Sequence, residues 1–268
     1  MADQGALSNP HSLFDVAGKV AIITGATGAF GGVAATVLAS AGAKLVLCGG
    51  NSAALDEIAG TCQAQGAEVE ALNLRPDSEA NCDTVVAGAV RRFGQVDILV
   101  AGSGKNIVSK IAEMKPEQFV EVMDVNVTQS WMIARSAGRQ MLAQGKGGKV
   151  VLMSSARGLL GHPAGYTAYC ASKSAIDGIT KALGCEWGSA GITVNAIAPT
   201  VFRSPLTAWM FEDDERANAV RAGFLARVPV GRLGEPEDLA GPLLFLASRA
   251  SDFYTGHILY ADGGYTAG

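Results

Sequence analysis

The sequence is poor in the residues that build metal and disulfide sites. Its three histidines, His11, His162 and His257, are scattered along 268 residues. Its five cysteines, Cys48, Cys62, Cys82, Cys170 and Cys185, are odd in number and none is spaced C-x-x-C. That pattern argues against a zinc site and against a disulfide framework, so no metal and reduced thiols are expected. Positive charge is not in excess: the formal net charge is -4. Such a balance does not suit nucleic acid or an anionic membrane surface as partner. No apolar run approaches the length of a membrane span. The opening residues, MADQGALSNPHSLFDV, lack the basic and apolar segments of a signal peptide. The expected location is therefore the cytoplasm. A linker rich in Pro, Ser or charge is missing too, as is any internal repeat.

What is present is an alternation. Hydrophobic residues make up 49% of the chain and charged ones 17%, which suits a sheet covered on both faces. Short, nearly continuous apolar runs fall at 20–24, 44–48, 68–72, 97–100, 149–153, 193–197 and 258–261. Between them lie longer segments of helical composition, among them 29–42, 79–93 and 116–144, and Pro236 stands where a helix over 235–247 would begin. The fold class is α/β: one Rossmann-type doubly wound parallel sheet of about seven strands flanked by helices. The domain would span 18–268 behind an N-terminal arm, 1–17. Residues 203–230 break the alternation with Trp209, Met210, Phe211 and an acidic run at 212–215. They read either as a small helical lid over the strand ends or as an ordinary surface helix pair.

Four stretches carry chemistry. In GKVAIITGATGAFGG, residues 18–32, a strand runs into a turn with Gly25, Gly28 and Gly31 and then into a helix. This places backbone N–H groups and a helix N-terminus where a pyrophosphate binds, although glycines also permit plain strand–helix packing. Tyr169 and Lys173 stand four apart, so on a helix they share a face. An ammonium there would draw the phenol pKa down into a range useful for proton exchange; the bland alternative is an exposed helix pair. Ser154 and Ser155 end the 149–153 strand, where such sheets place ligands, or where a hydroxyl simply caps a turn. Asn126 lies in an apolar stretch, and a buried amide must be hydrogen-bonded. It serves as helix–helix glue or as the holder of a water or a lysine.

Taken in order, these features resemble the short-chain dehydrogenase/reductase family, over about residues 13–264. Residues 24–31, TGATGAFG, match its TGxxxGxG turn with Ala29 in place of the middle glycine. Residues 195–200, NAIAPT, match its N-x-x-x-P-G with Thr200 for glycine, and Ser204 falls where a hydroxyl usually holds the nicotinamide carboxamide. The resemblance implies a catalytic tetrad of Asn126, Ser155, Tyr169 and Lys173. Tyr169 would exchange a proton with the substrate oxygen and Ser155 would hydrogen-bond that oxygen. Lys173 would bind the nicotinamide ribose and Asn126 would support a water. Cofactor contacts are implied at Gly25, Thr27, Gly28, Phe30, Gly31, Gly50, Asn51, Asn73, Leu74, Ala101, Gly102, Pro199, Val201 and Ser204, besides Tyr169 and Lys173. The implied activity is NAD(P)-dependent interconversion of a secondary alcohol and a ketone by a homotetramer that packs through helices within 116–144 and 169–188. The tail from 225 to 264 looks most like the gluconate 5-dehydrogenase branch, which points to a sugar acid or polyol and to carbohydrate metabolism. Two alternatives stand beside it: a 3-oxoacyl thioester reductase, and a non-catalytic dinucleotide-binding sensor or scaffold. The last usually loses the Tyr–Lys pair.

Three departures matter. Where the family has two asparagines after the fourth strand, this chain has Ala101 and Gly102. Small residues still allow close backbone approach, and a lost hydrogen bond costs only about 0.5–1.5 kcal/mol. With the tetrad complete, an active enzyme is expected. The spacing from Ser155 to Tyr169 is one residue long, and the loop 161–165 would absorb it. At the end of the second strand, Gly49 and Gly50 replace both the acid that selects NAD and the arginine that selects NADP. Without an acid a phosphate is not repelled, and Asn51, Ser52 and the next helix N-terminus are placed to hold it, which favours NADP slightly over NAD. Restoring an arginine, Gly50→Arg, would be expected to strengthen that preference. Substrate-facing candidates are Lys105 and Asn106; Arg157, His162 and Tyr166; and Phe202, Arg203, Trp209 and Met210. The cations among them favour an anionic or polyhydroxylated substrate, although each alone has a structural or solvent-facing alternative.

Overall fold

The computed structural model describes residues 4–205 and 207–268. Residues 1–3 of the expected arm, and Leu206 inside the expected lid, lie outside the described residues. The arm begins with α1, Gln4–Ser8, and a 3-10 turn at Pro10–Phe14.

Seven strands form one sheet: β1 Val20–Thr24, β2 Lys44–Cys48, β3 Val69–Leu72, β4 Ile98–Ala101, β5 Gly148–Met153, β6 Ile192–Pro199 and β7 Ile258–Ala261. Their spatial order is β3-β2-β1-β4-β5-β6-β7, and every pairing is parallel. β1, β4 and β6 are buried along their whole length, while the edge strands β3 and β7 are only partly covered. Alternate residues of a central strand enter opposite cores. Ala21 and Ile23 pack with α2 (Ala29–Ser40), α3 (Ser52–Ala64) and a late helix at Glu237–Ala247. Val20 and Ile22 pack with α4 (Glu79–Phe93) and two further helices described below. Both faces being covered, period-two alternation vanishes and the strands read as unbroken apolar runs. β1, β2 and β7 fall at their expected bounds, the other strands have at least one end moved by one or two residues, and β6 runs on to Pro199.

The stretch 116–144 is not one helix. It is α5 (Pro116–Met123) and α6 (Gln129–Gln144), joined by a π-helical turn at Asp124–Thr128 that carries Asn126. Hydrophobic periodicity does not register a single wide turn of this kind, which is common at functional sites. α7 (Thr167–Trp187) carries Tyr169 and Lys173. Residues 203–230 contain a 3-10 turn at Ala208–Phe211 and α8 (Glu215–Leu225), whose first turn is capped by Asp214 accepting from the Ala217 N–H at 2.8 Å. The helix expected over 235–247 is α9, Glu237–Ala247, with Pro236 at its N-cap. Among the described residues no helix is long and apolar enough to cross a membrane.

Candidate active site

The strand order reverses between β1 and β4, so a crevice opens at their carboxyl ends. Its floor is two interlocked backbone turns. Gly25 sits at φ +61, and a Cβ there would lie 2.8 Å from the Ser103 nitrogen. A Cβ on Gly31 would overlap the Gly25 carbonyl oxygen, and one on Gly102 would lie 2.8 Å from the Thr24 oxygen. The Gly102 N–H donates to that oxygen at 3.2 Å, and the Ser103 hydroxyl donates to the Thr24 hydroxyl at 3.3 Å. The small residues after β4 are therefore needed for contact with β1. Ala101 is the buried last residue of its strand, and Phe30 is a core residue under the turn. At the mouth, Thr27 and Gly28 are exposed. Gly28 is the N-cap of α2 and provides no side-chain cap, whereas Asn51 and Ser78 do so for α3 and α4. Open N–H groups above a cradle that no Cβ can enter fit the pyrophosphate of a dinucleotide. Pro205 meets Thr27 and Gly28 across a groove of about 460 Å³.

Beside this floor, β5 and α7 bring the expected tetrad together. Ser154 is buried and its hydroxyl donates to Asp177 at 2.5 Å. Ser155 instead accepts from the Arg157 N–H at 3.2 Å, donates weakly to the Pro199 carbonyl at 3.4 Å, and faces Tyr169. Burial pushes the Tyr169 phenol above its ordinary range, and the Ser155 hydroxyl pulls it partly back. The net direction is upward, opposite to the depression expected from Lys173, because burial is the largest influence on the phenol. The Lys173 ammonium donates to the Met153 carbonyl at 2.7 Å and lies 5.5 Å from the Tyr169 ring centre. Burial brings Lys173 itself down to about 8, with Asp177 opposing. Asn126 accepts from the Lys105 N–H at 2.7 Å and donates to the Lys105 carbonyl and the Ser172 hydroxyl at 2.8 and 2.9 Å. It anchors the backbone after β4 instead of reaching Lys173 directly. A Cβ on Gly104 would stand 3.7 Å from the Asn126 amide oxygen and 3.8 Å from the Lys173 nitrogen, so that anchored backbone brings the two side chains together.

The expected substrate residues divide. Lys105 is ion-paired with Glu121, and Arg203 holds Glu235 at 2.8 and 3.1 Å while stacking on Phe211. Phe202 bridges to Gly234 and packs on the core. Val201 accepts from the Gly234 N–H, and the Ser204 hydroxyl pairs with that of Thr207 at 2.8 Å. Trp209 lies under Arg216, with the guanidinium 4.7 Å from its ring. Tyr166 meets Tyr169 edge-on at 6.2 Å and His162 at 4.5 Å, and a turn at 163–165 lies just before α7. Arg157 donates to the Gly161 carbonyl at 2.8 Å and to the Tyr265 hydroxyl at 2.9 Å. Arg227 donates to the same hydroxyl at 3.2 Å. Both guanidiniums lie over the Tyr265 ring, and among the described residues neither meets a carboxylate. Arg227 and Tyr265 carry no sequence signal, since only the fold joins them to Arg157.

At the adenosine end, Asn51 spends its amide oxygen on the Ala54 N–H at 3.2 Å. Asn73 is exposed, and Leu74 packs on the core. The absence of a cation, inferred from Gly49 and Gly50, is corrected by the fold: the Arg75 guanidinium covers Gly50. A Cβ on Gly50 would collide with Arg75 Nε and stand 3.0 Å from its Cζ and Nη2. The expectation for Gly50→Arg falls with it, because position 50 is already overlaid by an arginine from elsewhere. Among the described residues no three metal-type side chains come together, and all five cysteines are free.

Fold and cluster together define a class: a Rossmann-type oxidoreductase with hydroxyl, phenol and ammonium at the carboxyl edge of a parallel sheet. The chain belongs to the short-chain dehydrogenase/reductase family. The family model described as Enoyl-(Acyl carrier protein) reductase matches residues 25–266. An uncharacterized oxidoreductase of Mycobacterium tuberculosis is 52% identical over 254 residues, covering 95% of this chain and 93% of its own. The 3-oxoacyl-(acyl-carrier-protein) reductase of Rickettsia felis is 33% identical over 252 residues, covering 94% and 98%. A crystal structure of a gluconate 5-dehydrogenase from Burkholderia cenocepacia, in complex with NADP and tartrate, superposes with a TM-score of 0.88. It is 30% identical and covers 96% of this chain and 98% of its own.

Proposed function

We propose that this chain interconverts a secondary alcohol and a ketone on a carboxylate-bearing substrate of the sugar-acid or polyol-acid type, with NADP preferred over NAD. Bound nicotinamide dinucleotide would supply or accept the hydride. The protein supplies the proton and the placement. In reduction Tyr169 gives its phenolic proton to the carbonyl oxygen and Ser155 hydrogen-bonds the same oxygen; in oxidation Tyr169 takes the proton back. Lys173 holds the nicotinamide ribose from the floor, and Asn126 fixes the backbone that shapes it. Residues 203–230 act as the lid. The observation that carries the substrate class is the convergence of Arg157 and Arg227 on the buried Tyr265 hydroxyl without a carboxylate partner, since paired guanidiniums suit a carboxylate.

We also propose a cytoplasmic homotetramer joined through α5, α6 and α7. Phe119, Val120 and Trp131 stand exposed on the first two helices. Light scattering at a tetramer mass is the expected result, and a monomer would refute it.

The direct test is a panel of sugar acids, matching uncharged polyols and a 3-oxoacyl thioester, assayed with both cofactors. Sugar acids should turn over best, Arg227→Ala should raise their KM with little change in kcat, and Tyr169→Phe should abolish turnover while cofactor still binds. Turnover of the thioester alone would replace this reading with the reductase alternative. Cofactor binding with no turnover of any class would favour the sensor.

A further inference from the structure

The structure assigns Arg75 as the residue that reads the adenosine 2'-phosphate and so sets NADP preference, an inference that rests on the dinucleotide reading above. The first observation is placement. β2 and β3 pair with Cys48 opposite Leu72, and the Gly49 N–H donates to the Leu72 carbonyl at 3.4 Å. The segment 73–75 thus leaves the sheet alongside 49–51, at the strand end where the ribose of a Rossmann cofactor is recognised. Leu74 packs into the core on one side of Arg75 and Pro76 is buried on the other. A residue before proline is held extended, so the base of the Arg75 side chain is set by its neighbours.

The second observation is exclusion. Both positions that could carry a selecting side chain at the end of β2 are covered by residues from other elements. A Cβ on Gly49 would stand 3.1 Å from the Thr27 methyl, and one on Gly50 would collide with the Arg75 guanidinium. Glycine at 50 is what leaves room for Arg75. An acid at 49, which would repel a phosphate and hold a ribose diol, is sterically disfavoured by Thr27.

The third observation is that this guanidinium is unspent. Among the described residues it makes no hydrogen bond and no ion pair, although Glu68, Glu79 and Asp77, on or beside the same elements, are all engaged: Glu68 with Lys44, Glu79 with Arg135, Asp77 with Asn81. An arginine held over a glycine at a sheet's carboxyl edge, with its donor fork free, matches the planar recognition of a phosphate.

The test is calorimetric titration of the full chain with NADPH, NADH, 2',5'-ADP and 5'-AMP. The parent should bind NADPH more tightly than NADH and 2',5'-ADP more tightly than 5'-AMP. Arg75→Gln should weaken NADPH and 2',5'-ADP by about 10- to 100-fold and leave NADH and 5'-AMP within about twofold. Gly50→Ala displaces only the end of a flexible side chain, so it should keep the fold and lose most of the same preference. Equal weakening of all four ligands, or of none, in Arg75→Gln would overturn the assignment while leaving the dinucleotide site standing. Failure of the parent to bind any of the four would overturn the dinucleotide reading itself, and this inference with it.

Discussion

Ser154 and Ser155 are adjacent in the chain and opposite in employment. The first is sealed against Asp177; the second turns to Tyr169. Ser155→Ala is expected to cut turnover by about 100- to 1,000-fold, as loss of an oxyanion donor does, with little change in melting temperature. Ser154→Ala should lower unfolding free energy by about 1–3 kcal/mol through the stranded Asp177 and reduce kcat far less. Steady-state kinetics and urea melts of the two variants separate the roles; equal effects of both would mean the serines share one function. Lys173 extends the point to protons. Its pKa near 8, against an ordinary 10.5, means burial penalises its charged form by roughly 3 kcal/mol. The penalty is complete below pH 8 and relieved as pH rises toward 10.5, so the native state gains stability across that window. Lys173→Met removes the buried charge but also the bond to the Met153 carbonyl, which is worth about 1 kcal/mol. The variant should be inactive yet more stable than the parent at pH 7, with its advantage gone near pH 10. A stability difference that does not change between those pH values would refute the account.

At the scale of elements, the site stands on turns whose shape is enforced by backbone contact. The β1–α2 turn and the turn after β4 interlock through Gly25, Gly31 and Gly102. Gly31→Ala drives a methyl into the Gly25 carbonyl, where no flexible side chain can yield. It should cost about 3 kcal/mol and abolish cofactor binding. An unchanged urea midpoint would show that the turns do not interlock. The π-helical turn between α5 and α6 is the other decisive local feature. It sets Asn126 against the Lys105 backbone and so ties the segment after β4 to α7 through Ser172.

At the scale of the molecule, a dinucleotide would lie across the crevice between β1 and β4 and touch both halves of the sheet. A ligand bound only by the native state, at 100 times its Kd, stabilises by about 2.7 kcal/mol, or roughly 5–10 °C in a chain of this size. Thermal melts with saturating NADPH should show that shift, and its absence would count directly against the proposed cofactor.

Much of this molecule was determined by the sequence alone, for a physical reason. Strands buried on both faces must be apolar throughout, crossover helices must lie between them, and tight βα turns demand glycine. All of these are short-range requirements, and the seven runs, the Gly25–Gly31 turn and the four-residue spacing of Tyr169 and Lys173 record them. Only the tertiary structure decided that Ser154 is sealed against Asp177, that burial lifts the Tyr169 phenol, and that Arg227 and Tyr265 join Arg157. It also placed Arg75, from the end of β3, over the glycine where an arginine had been missed. These outcomes depend on which strands are neighbours and which side chains fill the space between them. Residues tens of positions apart in the chain carry no periodicity that could announce such contacts.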